Sequence, residues 1–161
     1  MKSARKVFIA VCLGVTSLTA QANSALWTAL ESAPQYSRFV KGLELTGLDD
    51  TLKSADTAHP MTVFAPTNDA FSRLDVPDKS KLFSSSNRDR LRDVLNLHLV
   101  AGNIAPKEAK QRHALGSEQG QSLIIEAESG ALRVSGVEAQ AVQAFTSGRI
   151  YRLDQVLIPR Q

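Results

Sequence analysis

Glu126 and Glu128, two residues apart in a stretch of strand-like alternation, are the arrangement in this chain nearest to an acid and base pair. On a strand both carboxylates project from one face, where one could donate a proton and the other accept it. A pair acting on a glycosidic bond also needs a cleft that separates the two roles and raises one pKa. Strands with one wet face carry such charges routinely, so this pair is expected to be solvated and inert. Ser117, in Gly116-Ser117-Glu118-Gln119-Gly120, stands one place too early for a Gly-x-Ser-x-Gly elbow and has no clear strand-to-helix turn around it. A nucleophilic serine further needs a base within hydrogen-bonding reach and a third group to orient that base. The segment reads as an exposed turn. His59, His98 and His113 are too scattered for a metal motif, and the chain has no His-x-x-x-His, acidic calcium loop or phosphate-cradling glycine loop. The sequence points to no catalytic residue, no metal and no cofactor.

Residues suited to binding are easier to find. His98 lies in the apolar run Leu97-His98-Leu99-Val100-Ala101-Gly102. A histidine there is satisfied by one partner and buried, or else it is presented for recognition together with Leu97. From Asn103 to Gln121 the chain is polar, and Lys107, Lys110, Arg112 and His113 give it local positive charge. That loop is the second binding candidate, although ordinary solvated loops have the same composition. Arg88, Arg90 and Arg92 invite an anion-binding reading, but Asp89 and Asp93 alternate with them at helical spacing, so a self-paired solvated face is expected.

The chain of 161 residues opens with Lys2, Arg5 and Lys6, then an apolar run from Val7 to Leu18, then Ala20-Gln21-Ala22. This is the pattern of a secretory signal peptide over residues 1–22. The run is too short for a helix that must cross ~30 Å of hydrocarbon, so no stable membrane insertion is expected once it is removed. Cys12, the one cysteine, would leave with the leader, and the mature protein would hold together by packing alone. Three of the 19 basic residues and none of the 16 acidic ones would leave too, so 16 of each sign would remain. Near-neutrality removes the electrostatic support for a nucleic-acid partner. Residues 23–161 are enough for one domain with a real core.

The elements that must position these residues can be sketched from periodicity. From Ser24 to about Ala55 the apolar spacing is helical in short pieces punctuated by Pro34, Gly42 and Gly47. Trp27 belongs to a core, and Asp49-Asp50 suits a helix first turn. Met61-Thr-Val-Phe-Ala-Pro-Thr-Asn-Asp-Ala-Phe71 reads as a buried strand that Pro66 breaks into a helix running to Leu74, with Thr67 or Asn68 as cap. Ser86-Asn87-Arg88-Asp89 has the form of a capping box with Ser86 at the N-cap. Beyond Gly102 the period shifts to two. Leu123, Ile125 and Ala127 share a face, as do Leu132 and Val134, and as do Val137, Ala139, Ala141 and Gln143. Ser129-Gly130 and Ser135-Gly136 stand where hairpin turns are needed. The meander closes with strands at Arg149 to Leu153 and Val156 to Ile158. Helices first and sheet later place the chain in the α+β class.

The early strand with its Pro66 break, the Leu97-His98 run and the closing Gly148-Arg-Ile-Tyr-Arg-Leu-Asp-Gln-Val-Leu-Ile-Pro159 occur in the order of the two boxes and central Tyr-His motif of the fasciclin-like, or FAS1, domain, which the chain resembles. The resemblance implies a wedge of two β-sheets with short helices packed around it, in proteins that are secreted or displayed and mediate adhesion. Thr67, Asn68 and Asp69 match the first box and Asp154 the acid of the closing box. All four are read as structural, with Asp154 accepting backbone N–H groups at a strand crossing. Leu97 replaces the family's frequent Tyr, and Tyr151 stands where the closing box often has His. The functional expectation is a secreted or periplasmic single domain that binds a cell-surface or matrix protein or polysaccharide, or an envelope component, without covalent change. The competing expectations are a hydrolase of polysaccharide esters or related cell-wall polymers, and an envelope protein that associates with itself.

Overall fold

A computed structural model describes residues 23–75, 81–128 and 131–160. The expected leader, the Ser129-Gly130 turn and most of the expected loop after Asp75 lie outside the described residues. Three short helices come first: α1 (Ala25–Glu31), α2 (Ser37–Thr46) and α3 (Asp49–Lys53). Ser24 caps α1 by accepting from Trp27 N–H at 3.1 Å, and its hydroxyl donates to the Leu52 carbonyl, which ties α1 to α3. Asp49 and Asp50 occupy the first turn of α3, as expected. Trp27 is buried in the core.

Strand β1 (Met61–Pro66) leads directly into α4 (Asn68–Ser72). A 3-10 turn then precedes α5 (Arg88–Asn96), which is followed by β2 (Leu99–Ala101) and α6 (Pro106–Gln111). Five strands complete the chain: β3 (Ala114–Gly116), β4 (Ser122–Glu128), β5 (Ala131–Val134), β6 (Val137–Phe145) and β7 (Gly148–Leu153). Strands β3 to β7 pair in succession as the antiparallel meander that the period of two implied. Ser135 and Gly136, with φ of 51° and 83°, turn the β5–β6 hairpin through the left-handed region that a two-residue connection requires.

All seven strands form one ladder in the order β2-β1-β7-β6-β5-β4-β3, and its two edges approach each other. Glu118 N–H, just past β3, donates to the Leu99 carbonyl on β2 at 2.8 Å, so the wedge is close to a closed barrel. The fold is α+β, and the wedge is formed by one continuous mixed ladder. At its centre β1 and β7 run parallel, from Met61 opposite Gly148 to Pro66 opposite Leu153. Strand β1 is buried throughout, and β7 is buried apart from Arg149 and Arg152. Met61, Val63, Ala65 and Ile150 pack against the helices, while Phe64, Tyr151 and Leu153 fill the interior of the wedge.

This close pairing dictates a glycine at 148. A Cβ built there would lie 1.9 Å from the Met61 carbonyl oxygen, and φ is 147°, where side chains are strained.

Four local expectations are corrected. Ser86 does not cap α5: Asn87 occupies that position without a side-chain cap bond. The polar groups of this stretch are spent on the preceding turn, where Ser84 Oγ and Asn87 Nδ2 both donate to the Lys81 carbonyl. Val156 to Ile158 is not a strand, although Val156 and Leu157 are buried. A bulge between Ala141 and Gln143 breaks the alternation on β6, so those two residues are exposed while Ala139 is buried. Lastly, no ion pair joins Arg88, Arg90 or Arg92 to Asp89 or Asp93, so that helix face is exposed but not self-paired.

Candidate functional site: a polar cleft where β1 and β7 end

His98 sits at the start of β2 with no exposed surface. Its Nδ1–H donates to the Val94 carbonyl at 2.7 Å, and its Nε2 accepts from Leu157 N–H at 3.0 Å, so the partners fix the tautomer. Phe39 meets the ring edge-on at a centroid distance of 6.0 Å. Burial holds the imidazole pKa down to about 4, against the opposing pull of the Val94 carbonyl. Leu97 is likewise buried. The presentation of His98 and Leu97 to a partner is therefore corrected: the histidine is a bolt that fastens the C-terminal segment to α5.

Tyr151 has the same character. Its hydroxyl donates to the Ile104 carbonyl at 2.7 Å, its ring stacks on Phe64 at 5.1 Å, and burial pushes its phenol up to about 12. Thr62, also buried, donates to the Gly102 carbonyl at 2.6 Å and accepts from Ile104 N–H at 2.9 Å. Together they pin the start of the segment that carries the basic residues.

Lys107, Lys110, Arg112 and His113 are exposed on α6 and its exit. Arg112 is held by Glu108 at 2.6 Å. The structure thus keeps these four near one another and puts His98 and Leu97 elsewhere. Ser117 donates its hydroxyl proton to the Gln121 carbonyl at 2.8 Å within a tight turn, an arrangement that holds the proton on a main-chain oxygen and not on a base. Glu126 is exposed, opposite Arg133 on β5. Among the described residues no three His, Cys, Asp or Glu side chains converge as metal ligands would.

A different place gathers uncommitted polar groups. Parallel strands β1 and β7 end side by side, and a cleft of about 500 Å³ opens beyond their carboxyl ends. Such ends are where ligands reach parallel strands in open α/β sheets. The walls follow from the sequence. Pro66 stops the ladder, and Thr67 Oγ1 accepts from Ala70 N–H at 3.2 Å to start α4, as the first-box reading anticipated.

Asn68 does not cap. Its Oδ1 accepts from Arg38 N–H at 3.0 Å, and its Nδ2 donates to the Pro34 carbonyl at 3.0 Å and to Ser37 Oγ at 2.9 Å. It braces the entry of α2 against α4 and so sets Gln35 beside Asp69 and Arg73 on the rim. From β7, Arg152 donates through Nε and Nη2 to one oxygen of Asp154, at 3.2 and 3.1 Å. Asp154 thus faces a guanidinium, not the backbone N–H groups expected for it.

Among the described residues the side chains of Asp69 and Arg73 find no hydrogen-bond or ion-pair partner. Beside the cleft, the buried Tyr36 hydroxyl finds no well-formed hydrogen bond among the described residues. Burial raises the Tyr36 phenol pKa, against the influence of Arg152 and Gln35.

The sequence profile of the fasciclin domain matches residues 34–159. The chain belongs to the fasciclin domain family. It is 32% identical over 111 residues to protein sll1483 of Synechocystis, covering 68% of this chain and 61% of that protein. Against the immunogenic protein MPB70 of Mycobacterium bovis it is 33% identical over 114 residues, 70% of this chain and 54% of the relative. Against the fasciclin-like arabinogalactan protein 17 of Arabidopsis thaliana it is 30% identical over 148 residues, 86% of this chain and 31% of the relative. The chain spans less than two thirds of each of these proteins. In structure it is similar to a FAS1 domain pair from the insect cell adhesion molecule fasciclin I, with a TM-score of 0.69 and 20% identity over 83% of this chain and 50% of that one. That likeness concerns the fold.

Within this fasciclin domain the two boxes meet twice, once as paired strands in the core and once as the two walls of the cleft. Asp69 and Asp154 were visible as motif positions. Gln35, Arg73 and Arg152 were not singled out, because they come from three segments that only the folded chain brings together. The signal in the sequence is Arg152, a charge two residues before Asp154 and set between Tyr151 and Leu153, which are bound for the core.

Proposed function

We propose that this fasciclin domain works as an exported interaction module that engages a cell-surface, matrix or envelope macromolecule and leaves it chemically unchanged. The observation that carries this reading is the contrast in commitment among polar side chains. The groups most suited to chemistry, His98 and Ser117, have their protons or lone pairs engaged by main-chain partners. Asp69 and Arg73, by contrast, have no hydrogen-bond or ion-pair partner among the described residues and stand on the rim of an open cleft. A rim of unpaired polar groups is what a few energetically dominant contacts can be built from. Export rests on the basic, apolar and small-residue pattern of residues 1–22, and the described residues contain no helix long and apolar enough to cross a membrane.

Capture from surface extracts and polysaccharide arrays tests the reading. The purified chain without residues 1–22 is expected to retain ligands intact, and Asp69→Ala/Arg73→Ala to lose at least tenfold in retention with an unchanged thermal midpoint. A Lys107→Ala/Lys110→Ala variant, which removes the loop candidate, is expected to retain ligand nearly as well as the parent. Captured polymer that emerges cut, with cutting abolished by Ser117→Ala, would replace the binding reading with a hydrolase of polysaccharide esters.

A further inference from the structure

We infer that the cleft beyond β1 and β7 takes a short stretch of an uncharged saccharide chain, an inference that rests on the interaction-module reading and narrows it. Charge is the first argument. Asp69 and Asp154 balance Arg73 and Arg152, so the rim has no net formal charge and offers a phosphate, uronate or polyamine no electrostatic gain over water. Four charged side chains and the Gln35 amide around the opening give a lipid or aliphatic ligand little to bury against.

The second argument is the interleaving of acceptors and donors. Carboxylates only accept and guanidinium groups only donate, so a ligand that satisfies neighbouring members of both kinds must do both at each point of contact. A hydroxyl does so, and a saccharide ring presents several in fixed directions. A peptide spends its main-chain donors and acceptors best along a sheet edge, whereas this cleft presents side chains at strand ends.

Size and preorganisation agree. The volume of about 500 Å³ lies within the range of small-molecule sites, roughly 300–1,000 Å³. Both Arg152 donors engage one oxygen of Asp154, so its second oxygen is left to accept from a ligand. Thr67 and Asn68 hold the backbone beneath Asp69 through four hydrogen bonds, so a ligand has only the Asp69 side chain to order there and not the chain that carries it.

The test is an amide chemical-shift titration of the purified chain without residues 1–22. The probes are hexasaccharides of neutral β-1,4-glucan, β-1,3-glucan, xylan, mannan, galactan and chitin, with hexagalacturonate and hexaalanine beside them. At least one neutral hexamer is expected to shift amides within residues 67–73 and 152–154, more tightly than its monosaccharide, while hexagalacturonate and hexaalanine leave them in place. Asp69→Ala and Arg73→Ala are each expected to weaken that neutral hexamer at least fivefold, and only Asp69→Ala, which turns the rim positive, to gain hexagalacturonate binding. Hexagalacturonate bound as well as any neutral hexamer by the parent protein would overturn the inference, and so would silence of residues 67–73 and 152–154 toward every neutral probe. Silence toward saccharides alongside extract capture that still depends on Asp69 and Arg73 would remove the saccharide and leave the module. Capture indifferent to both residues would remove the module reading itself.

Discussion

The interior around His98 and Tyr151 and the cleft around Asp69 and Arg73 both adjoin the paired strands β1 and β7, yet they treat polar side chains in opposite ways. In the interior the polar groups of the fasciclin motifs are spent: His98 uses both ring nitrogens, Thr62 both donates and accepts, and Tyr151 reaches the Ile104 carbonyl. All of these bonds except that of His98 to Val94 join segments distant in sequence, and each atom they use is withheld from a ligand. At the cleft the hydrogen bonds of Thr67 and Asn68 are equally spent, but they hold a frame on which Asp69 and Arg73 remain free. Residue type alone does not separate a bolt from a contact. What separates them is whether the backbone nearby has donors and acceptors left to satisfy.

The sharpest way to break the interior is Gly148→Ala. The new Cβ would press on the Met61 carbonyl and force an unfavourable φ, so the parallel pairing of β1 and β7 must give way. A loss of about 4 kcal/mol or more is expected in urea unfolding, in the exceptional range for a point change. Acid should strain the same interior. His98 is neutral when folded, with its pKa near 4, and ordinary when unfolded, near 6.5. The unfolded chain therefore binds more protons between those values, and stability falls as pH drops from about 6.5 to 4. The loss amounts to about 3 kcal/mol by linkage, and a His98→Gln variant should show a flatter profile over that window.

Tyr151→Phe leaves the Ile104 carbonyl without its donor and should cost about 1–2 kcal/mol. At the cleft the order reverses. Asp69→Ala and Arg73→Ala remove no hydrogen bond or ion pair among the described residues, so each should change stability by less than about 0.5 kcal/mol, with the main effect appearing in ligand retention.

Much of the fold was legible because its signals are local. Pro66 and Thr67 mark the end of β1 and the start of α4, and Ser135-Gly136 supplies the positive φ values of a two-residue hairpin. The parallel contact of β1 with β7 was not derivable from periodicity, since pairing across more than eighty residues leaves no local trace; only the family resemblance joined the two boxes. Val156 to Ile158 misled for a related reason. Its apolar pattern suits a strand, but the Leu157 N–H is claimed by His98 instead of a neighbouring strand. Asp154 was expected to meet backbone donors and meets Arg152, two residues away, because β7 ends beside the cleft and leaves both side chains half in water. The site itself was least legible. Its rim combines a 3-10 turn, a five-residue helix and a strand end, and no spacing rule connects Gln35, Arg73 and Arg152.

Ligand retention per folded molecule, measured side by side for His98→Gln and Asp69→Ala/Arg73→Ala on the same polysaccharide and surface-extract panel, tests the division of labour most directly. The interior variant is expected to melt earlier and retain ligand like the parent, and the cleft variant to melt like the parent and release it. A His98→Gln protein that folds normally yet loses its ligand, beside a cleft variant that keeps it, would contradict the account.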